Sequence, residues 1–367
     1  MSNSRVKTFT SKDIKKPFKF YDVSEFDEIY IDGSKFPIKL TSTKLKNKGN
    51  LELKKPALIE EMTNNLKLHS ITFTKEEELE ALNVFKATNY YRISVFSRYL
   101  DDEDHSFTTL LNLYKFDNFL RESINRLIPP VEIALKTSLS YFLAVNYTTL
   151  IDEPSEEEAL VYLDYSLFKQ EFVNNGKVDE MLSHFAEFLE SKQDKDPGVR
   201  HHVEYYGGKI PVWVLVEHLT FGDIATFVTY LDRSVRKKWV RYFINGINDK
   251  WIIEWIKTIQ FLRNSGAHCS RFYGKMLNYN PEFTKEDFEQ LPDEIKTDQT
   301  KIDKLKHTFF AGLLTIKNFY LTLPEYEQEH WNIFLKKLKQ RIEYYSANVY
   351  RIGFPDNWYK LLIIDVE

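Results

Sequence analysis

The sequence predicts an all-α fold, on three observations. Chain breakers are sparse, with 12 Gly and 12 Pro in 367 residues. Apolar residues recur at three- and four-residue spacing over long stretches, which is the helical period. Helix-start signals stand at the head of several of those stretches. Hydrophobic residues make up 43% of the chain and aromatic residues 15%, ample for a large core.

The elements follow in order. Residues 1–55 hold no sustained helical period and are expected to form a short, extended or irregular arm. Within it, FKFYDVSEFDEIYIDGSKFPIKL alternates enough for a hairpin, and TSTKLKNKGNLELKK reads as a polar linker. Residues 1–56 carry 13 Lys+Arg against 7 Asp+Glu, a local charge of +6, so the rest is near −10. A basic arm on an acidic body either lies along phosphates or is a solvated tail.

The helical domain is expected over 56–367. Pro56 suits the first position of a helix reaching Leu68. Thr74 and Glu77 form a capping box for the next helix. ATNYYRISVFSRYL comes after it. Its aromatic residues and Arg92 and Arg98 could stack bases and hold phosphates; alternatively Tyr90, Tyr91, Val95, Phe96 and Tyr99 are core.

A strongly periodic helix starts at Phe107. It contains Asp117 and Arg121, an i,i+4 pair worth about 0.2–0.5 kcal/mol on an exposed helix. Pro129-Pro130 should break or kink it, and VEIALKTSLSYFLAVNY resumes it. Glu132 is either the i,i+4 ion-pair partner of Lys136 or a carboxylate that orients a catalytic imidazole.

EPSEEEALVYL and KVDEMLSHFAEFLESK read as amphipathic helices, and DKDPGVRHHVEYYGGK as a loop. His201 and His202 are adjacent, a poor spacing for chelating one ion, so no metal is expected. IPVWVLVEHLTFGDIATFVTYL builds core around a junction at Gly222-Asp223. Its Glu217-His218 is a second acid–base pair or a hydrogen-bonded core histidine. RSVRKKWVRYF is a short basic helix whose Lys237, Lys238 and Arg241 are candidate phosphate contacts. Residues 278–300 read as an acidic loop, IDKLKHTFFAGLLTIKNFYLTL as one long helix, and PEYEQEHWNIFLKKLKQRIEYY as another. RIGFPDNWYKLLI closes the chain as a turn and docking segment.

The single cysteine, Cys269, rules out an intramolecular disulfide and a cysteine-based zinc site. The N-terminus has no apolar signal-peptide core, and no run of 18 apolar residues exists. A reducing cytoplasm is therefore the expected compartment.

IQFLRNSGAHCSRFYGK, at 259–275, concentrates the candidate chemistry. Arg263 and His268 lie five apart, with Asn264 beside the arginine and Arg271 beyond the histidine. A guanidinium holds a phosphate through two parallel hydrogen bonds. An imidazole titrates near neutral pH and can move a proton. On a regular helix, positions five apart lie roughly 140° apart. Asn264 and His268 therefore share a face, whereas Arg263 and His268 do not. Either the helix is distorted at Gly266, or the side chains meet over a shallow cleft, or a second copy of the chain completes the site.

NYYRISVFSRYL, LYKFDNFLRESINRL, VEIALKTSLSYFLA, IPVWVLVEHLTFGDIATF, FLRNSGAHCSRFYGK and IGFPDNW together resemble the bacterial abortive-infection proteins of the AbiD/AbiF type. These are similar to the HEPN superfamily, marked by Arg, four to six residues, then His. The resemblance runs from about Leu58 to Trp358. It implies a HEPN-type helical bundle with additional helices, and a metal-independent endoribonuclease of phage defence without a cofactor. Arg263 and His268 fall on the catalytic pair, Asn264 on the polar position after the arginine, and Arg271 on a basic position after the histidine. It also implies a homodimer that shares the site. In-line attack by a 2′-hydroxyl favours flexible single-stranded RNA as the substrate, and without an 18-residue apolar run no membrane is expected. Some relatives work alongside a small non-coding RNA, a second candidate partner. The rival reading is a HEPN module that binds RNA or protein without cutting, in a toxin–antitoxin-like system.

Overall fold

The computed structural model describes residues 6–9, 28–31, 34–36, 56–101, 104–244, 247–278 and 280–366. It divides into Met1–Ala57 and Leu58–Glu367. In the first unit, β1 (Val6–Phe9) pairs parallel with β2 (Glu28–Ile31), and β2 pairs antiparallel with β3 (Ser34–Phe36). The alternation read in that stretch thus forms antiparallel strands. The linker expected at 41–55 lies outside the described residues.

The second unit is all-α, as expected. Its helices begin with α1 (Ile59–Lys67), α2 (Lys75–Ala87) and α3 (Tyr90–Ser94), followed by a 3₁₀ turn at Val95–Tyr99. α1 starts later than Pro56, because Glu61 reaches back to the Leu58 N–H at 2.8 Å. The capping box is present: Thr74 accepts the Glu77 N–H at 3.1 Å, and Glu77 accepts the Thr74 N–H at 2.7 Å.

α4 (Phe107–Leu150) is 44 residues long and runs through Pro129 and Pro130. The expected break is absent. The prolines remove the N–H donors to the Asn125 and Arg126 carbonyls, but α4 packs against α-helical neighbours along its length, and tertiary packing overrides the local penalty. The buried Tyr320 hydroxyl donates to the nearby Leu127 carbonyl at 2.9 Å.

Next come a 3₁₀ segment at Glu158–Leu163, where an amphipathic α-helix was expected, then α5 (Gln170–Asn174), α6 (Lys177–Glu190) and α7 (Pro197–Tyr205). α7 replaces the expected loop. Asp196 accepts the Val199 N–H at 3.0 Å and Pro197 fills the first helical position, so a full start signal was present. α8 (Val212–His218) and α9 (Phe221–Tyr230) meet at Thr220, which forms a capping box with Asp223. α10 (Arg233–Phe243) and α11 (Trp251–Ala267) follow.

The expected acidic loop is mostly helical: α12 (Lys285–Gln290), α13 (Asp293–Lys296) and the start of α14 (Gln299–Lys306). Asp287 is drawn into the core by Lys317 Nζ at 2.7 Å and Asn318 Nδ2 at 2.6 Å. The single long helix expected after it is two, because Thr308 caps α15 (Phe309–Tyr320) by accepting the Ala311 N–H. α16 (Glu325–Tyr345) and α17 (Trp358–Leu362) close the chain.

Every residue of α15 is buried, so it is the central helix of the unit. α11 packs on α15, α4 and α9. Two glycines set how closely it sits. A Cβ on Gly312 of α15 would lie 2.8 Å from Leu262 Cδ1, and one on Gly266 would lie 2.5 Å from Asn125 Oδ1 of α4. The C-terminal end of α11, which carries Arg263 and His268, is thereby seated on the core.

Candidate functional site

α11 stays helical through Gly266 to Ala267, so the helix is not loosened there. Gly266 answers a need for close approach rather than for bending. His268 is the C-cap residue (φ −87°, ψ 13°). The Cys269 N–H bonds the Gly266 carbonyl at 3.1 Å and the Ser270 N–H bonds the Ser265 carbonyl at 2.7 Å. This is a Schellman closure, which needs a left-handed residue after the cap. Cys269 takes that conformation, φ +51°, where glycine is usual.

The following loop is tied down at each step. Arg92 Nη1 donates to the Cys269 carbonyl at 2.8 Å. Asp117 Oδ1 accepts the Phe272 and Tyr273 N–H groups, each at 2.7 Å, and its other oxygen holds Arg121. The Tyr273 hydroxyl donates to the Asn348 carbonyl at 2.8 Å. The Arg271 guanidinium lies over the Tyr99 ring at 5.0 Å, and its Nη1 is buried without a hydrogen bond among the described residues. Burial pushes the Asp117 carboxyl above its ordinary range, while the two N–H groups and the arginines pull it back.

Asp117–Arg121 therefore does more than the exposed helical pair expected from its spacing. It is buried, and it fixes the backbone just beyond His268. That role was invisible in sequence, because its partners are backbone groups 155 and 156 residues away.

Arg263 and His268 are both exposed and Asn264 is half-buried. Arg263 Nη1 donates to Asn264 Oδ1 at 3.2 Å. Asn264 and His268 line one open cleft of about 320 Å³ with Gln260, Phe261, Ser265, Ser270 and Lys275. The His268 imidazole makes no hydrogen bond among the described residues. Lys275 was not singled out from the sequence, although it ends the 259–275 stretch. Its ammonium lies 4.8 Å from the Phe261 ring centroid, and burial and the neighbouring Arg271 hold it below the usual lysine range.

The other candidates separate. Arg92 belongs to a second cleft, which Gly266 lines with Tyr114, Asn118, Arg121, Glu122 and Asn125. Of the aromatic stretch beside it, Phe96 is buried, Tyr90, Val95 and Tyr99 are half-buried, and Tyr91 is 74% exposed rather than core. Arg98 is exposed on the 3₁₀ turn. Lys237, Lys238 and Arg241 sit on α10, and none lines the Asn264–His268 cleft. Glu132 pairs with Lys136 at 2.9 Å. His218 lies 3.5 Å from Asp196. The His202 ring binds the Gly198 carbonyl at 2.8 Å. Among the described residues no three His, Cys, Asp or Glu side chains cluster as a metal site. No helix among them is long and apolar enough to cross a membrane.

The Abi-like protein family matches residues 83–274, more than half of the chain, from α2 to the loop after His268. The chain belongs to the Abi-like protein family. Membership supports a role in abortive infection, a defence against phage. The matched segment includes α4 with Asp117, all of α10 and α11, and the Arg263–His268 stretch. No curated protein and no solved structure matches the chain.

Proposed function

We propose that this Abi-like protein is a metal-independent endoribonuclease of the HEPN kind, acting through Arg263, Asn264 and His268. The observation that carries the reading is the exposed His268 imidazole, without a hydrogen-bond partner among the described residues, beside Asn264 in an open cleft. A histidine kept for packing or capping would be expected to spend a ring nitrogen on the protein.

The chemistry follows from the groups. His268 accepts the proton of a 2′-hydroxyl, and that oxygen attacks the adjacent phosphorus. The bond to the 5′-oxygen breaks, and a second imidazole protonates the departing oxygen. The products are a 2′,3′-cyclic phosphate and a 5′-hydroxyl. Each proton transfer contributes about 10²–10⁴-fold. Arg263 and Lys275 offset charge on the phosphorane, a preorganised electrostatic contribution. Arg263 does not itself line the cleft, and its guanidinium is tied to it through the bond to Asn264. Single-stranded RNA is the substrate, because in-line attack needs an unstacked, flexible ribose phosphate.

One chain offers one imidazole in this cleft, so the second is assigned to His268 of another copy. In a two-fold dimer the same patch meets itself. Mixing wild-type with excess His268→Ala chains should then depress activity beyond simple dilution.

The second reading is a module that binds RNA or protein without cutting. The Arg263 bond to Asn264 favours it, since the guanidinium is already engaged there. Incubating the purified protein with labelled single-stranded RNA in EDTA separates the two. Cleavage lost in both His268→Ala and Arg263→Ala supports the nuclease. Cleavage that survives both substitutions, or that needs magnesium, excludes this site.

A further inference from the structure

We infer that a recess on α10 holds the phosphodiester backbone of a single RNA strand, separately from the Asn264–His268 cleft. The kind of polymer rests on the ribonuclease reading; the anionic chemistry of the ligand does not. The recess, of about 230 Å³, is lined by Arg233, Lys237, Arg241, Ile247, Asn248 and Asp249. None of these lines the cleft at His268.

The three cations form one row. Positions 233, 237 and 241 are successive i,i+4 places on α10, so each step rises roughly 6 Å along the helix. That is comparable to the distance between neighbouring phosphates along a strand. All three side chains are exposed.

The one carboxylate in the recess is already engaged. The buried Arg236, 4% exposed, donates Nε to the Asp249 carbonyl and Nη2 to Asp249 Oδ2, both at 3.2 Å. Arg233 Nε reaches the same Oδ2 only at 3.5 Å. Lys237 and Arg241 have no acidic partner among the described residues. The charge of Arg236 is matched by Asp249, and its Nη1 is buried with no hydrogen bond among the described residues. Asn248 spends Oδ1 on the Lys250 N–H at 3.0 Å, which leaves its amide nitrogen as a donor.

The recess is thus rich in donors and positive charge, with its carboxylate occupied. It fits an anion. Among the described residues no aromatic ring lines it, so it does not fit a stacked base. Recognition there should be indifferent to sequence, as backbone contacts are. Lys238 stands apart from the row, with Nζ directed to the Thr149 carbonyl at 3.3 Å.

The test uses the full chain carrying His268→Ala, so that RNA is not consumed, and measures its affinity for a labelled single-stranded oligoribonucleotide against salt. Each phosphate neutralised on a single strand contributes about 0.7 to the slope of log affinity against log salt. Lys237→Ala with Arg241→Ala should lower that slope by about 1.4 and weaken binding roughly tenfold at moderate salt. Lys336→Ala with Lys337→Ala, on exposed α16 positions, should change neither. Inorganic phosphate and a mononucleotide should compete far less well than the oligonucleotide. An unchanged slope in the α10 variant with an unaltered melting temperature overturns the proposal. So does inorganic phosphate that competes as well as RNA, which would mark a simple anion site. In the active protein, the α10 variant should raise KM and leave kcat unchanged. Binding that depends on α10 without any cleavage would sink the nuclease and leave the recess standing. Cleavage with an unaltered KM would do the reverse.

Discussion

Asp117, in the first third of α4, accepts the backbone N–H of Tyr273 at 2.7 Å. This bond and its twin to Phe272 join the longest helix among the described residues to the loop after His268. Asp117 is fully buried and Arg121 nearly so. Replacing Asp117 with Ala leaves Arg121 buried without its counter-charge and two N–H groups unpaired. The expected loss is about 3–5 kcal/mol in chemical denaturation, the usual range for breaking a buried pair. Asp117→Ala with Arg121→Met should lose less than the single change, because no lone charge remains. A loss under 1 kcal/mol would mean that the loop is held by other contacts.

Cys269 closes the Schellman turn in the left-handed region. A non-glycine residue there costs of order 1 kcal/mol. Glycine removes that cost but adds chain entropy to the unfolded state. Cys269→Gly should therefore stabilise by about 0.5 kcal/mol, and the carbonyl held by Arg92 is kept. Calorimetry reads the shift. Cleavage should be unchanged, because the thiol has no part in the proposed chemistry.

Asp164 gives the fold an acid-sensitive point. Burial raises its carboxyl, but the Tyr147 hydroxyl and the Ser155 and Ser166 N–H groups outweigh this and hold it below the ordinary value. A lowered folded value means that its stabilisation is complete above the unfolded value, near pH 4, and is lost as pH falls through the folded one. Asp164→Asn should cost about 2 kcal/mol at neutral pH, as for hydrogen bonds to a charged group. The gap in melting temperature from wild type should persist to about pH 4 and close below it. A gap independent of pH would show that the charge is not what these donors stabilise.

Much of the fold was legible from local signals. The Thr74–Glu77 box, the α8–α9 junction and the strands after residue 27 follow from chemistry within a few residues. α7 was equally readable in Asp196-Pro197, a capping side chain followed by a proline at the first helical position. The uninterrupted α4 was not readable, because the packing that carries it across Pro129-Pro130 comes from distant helices. Asp287 was hidden in the same way, since its partners Lys317 and Asn318 lie 30 and 31 residues on. At the candidate site, residue types and spacing pointed to Arg263, Asn264 and His268. The seating of α11 by Gly266 and Gly312, and the tether from Asp117, are tertiary contacts without a sequence motif.

The most direct measurement replaces a single ribose. A single-stranded RNA is mapped for its cleaved bond, then resynthesised with a 2′-deoxynucleotide on the 5′ side of that bond only. Attack by the neighbouring hydroxyl predicts that this bond becomes inert while other sites are still cut, and that the wild-type products carry 2′,3′-cyclic phosphate and 5′-hydroxyl ends. Cleavage of the deoxy-substituted bond at the original rate, or products with 5′-phosphate ends, would contradict the account.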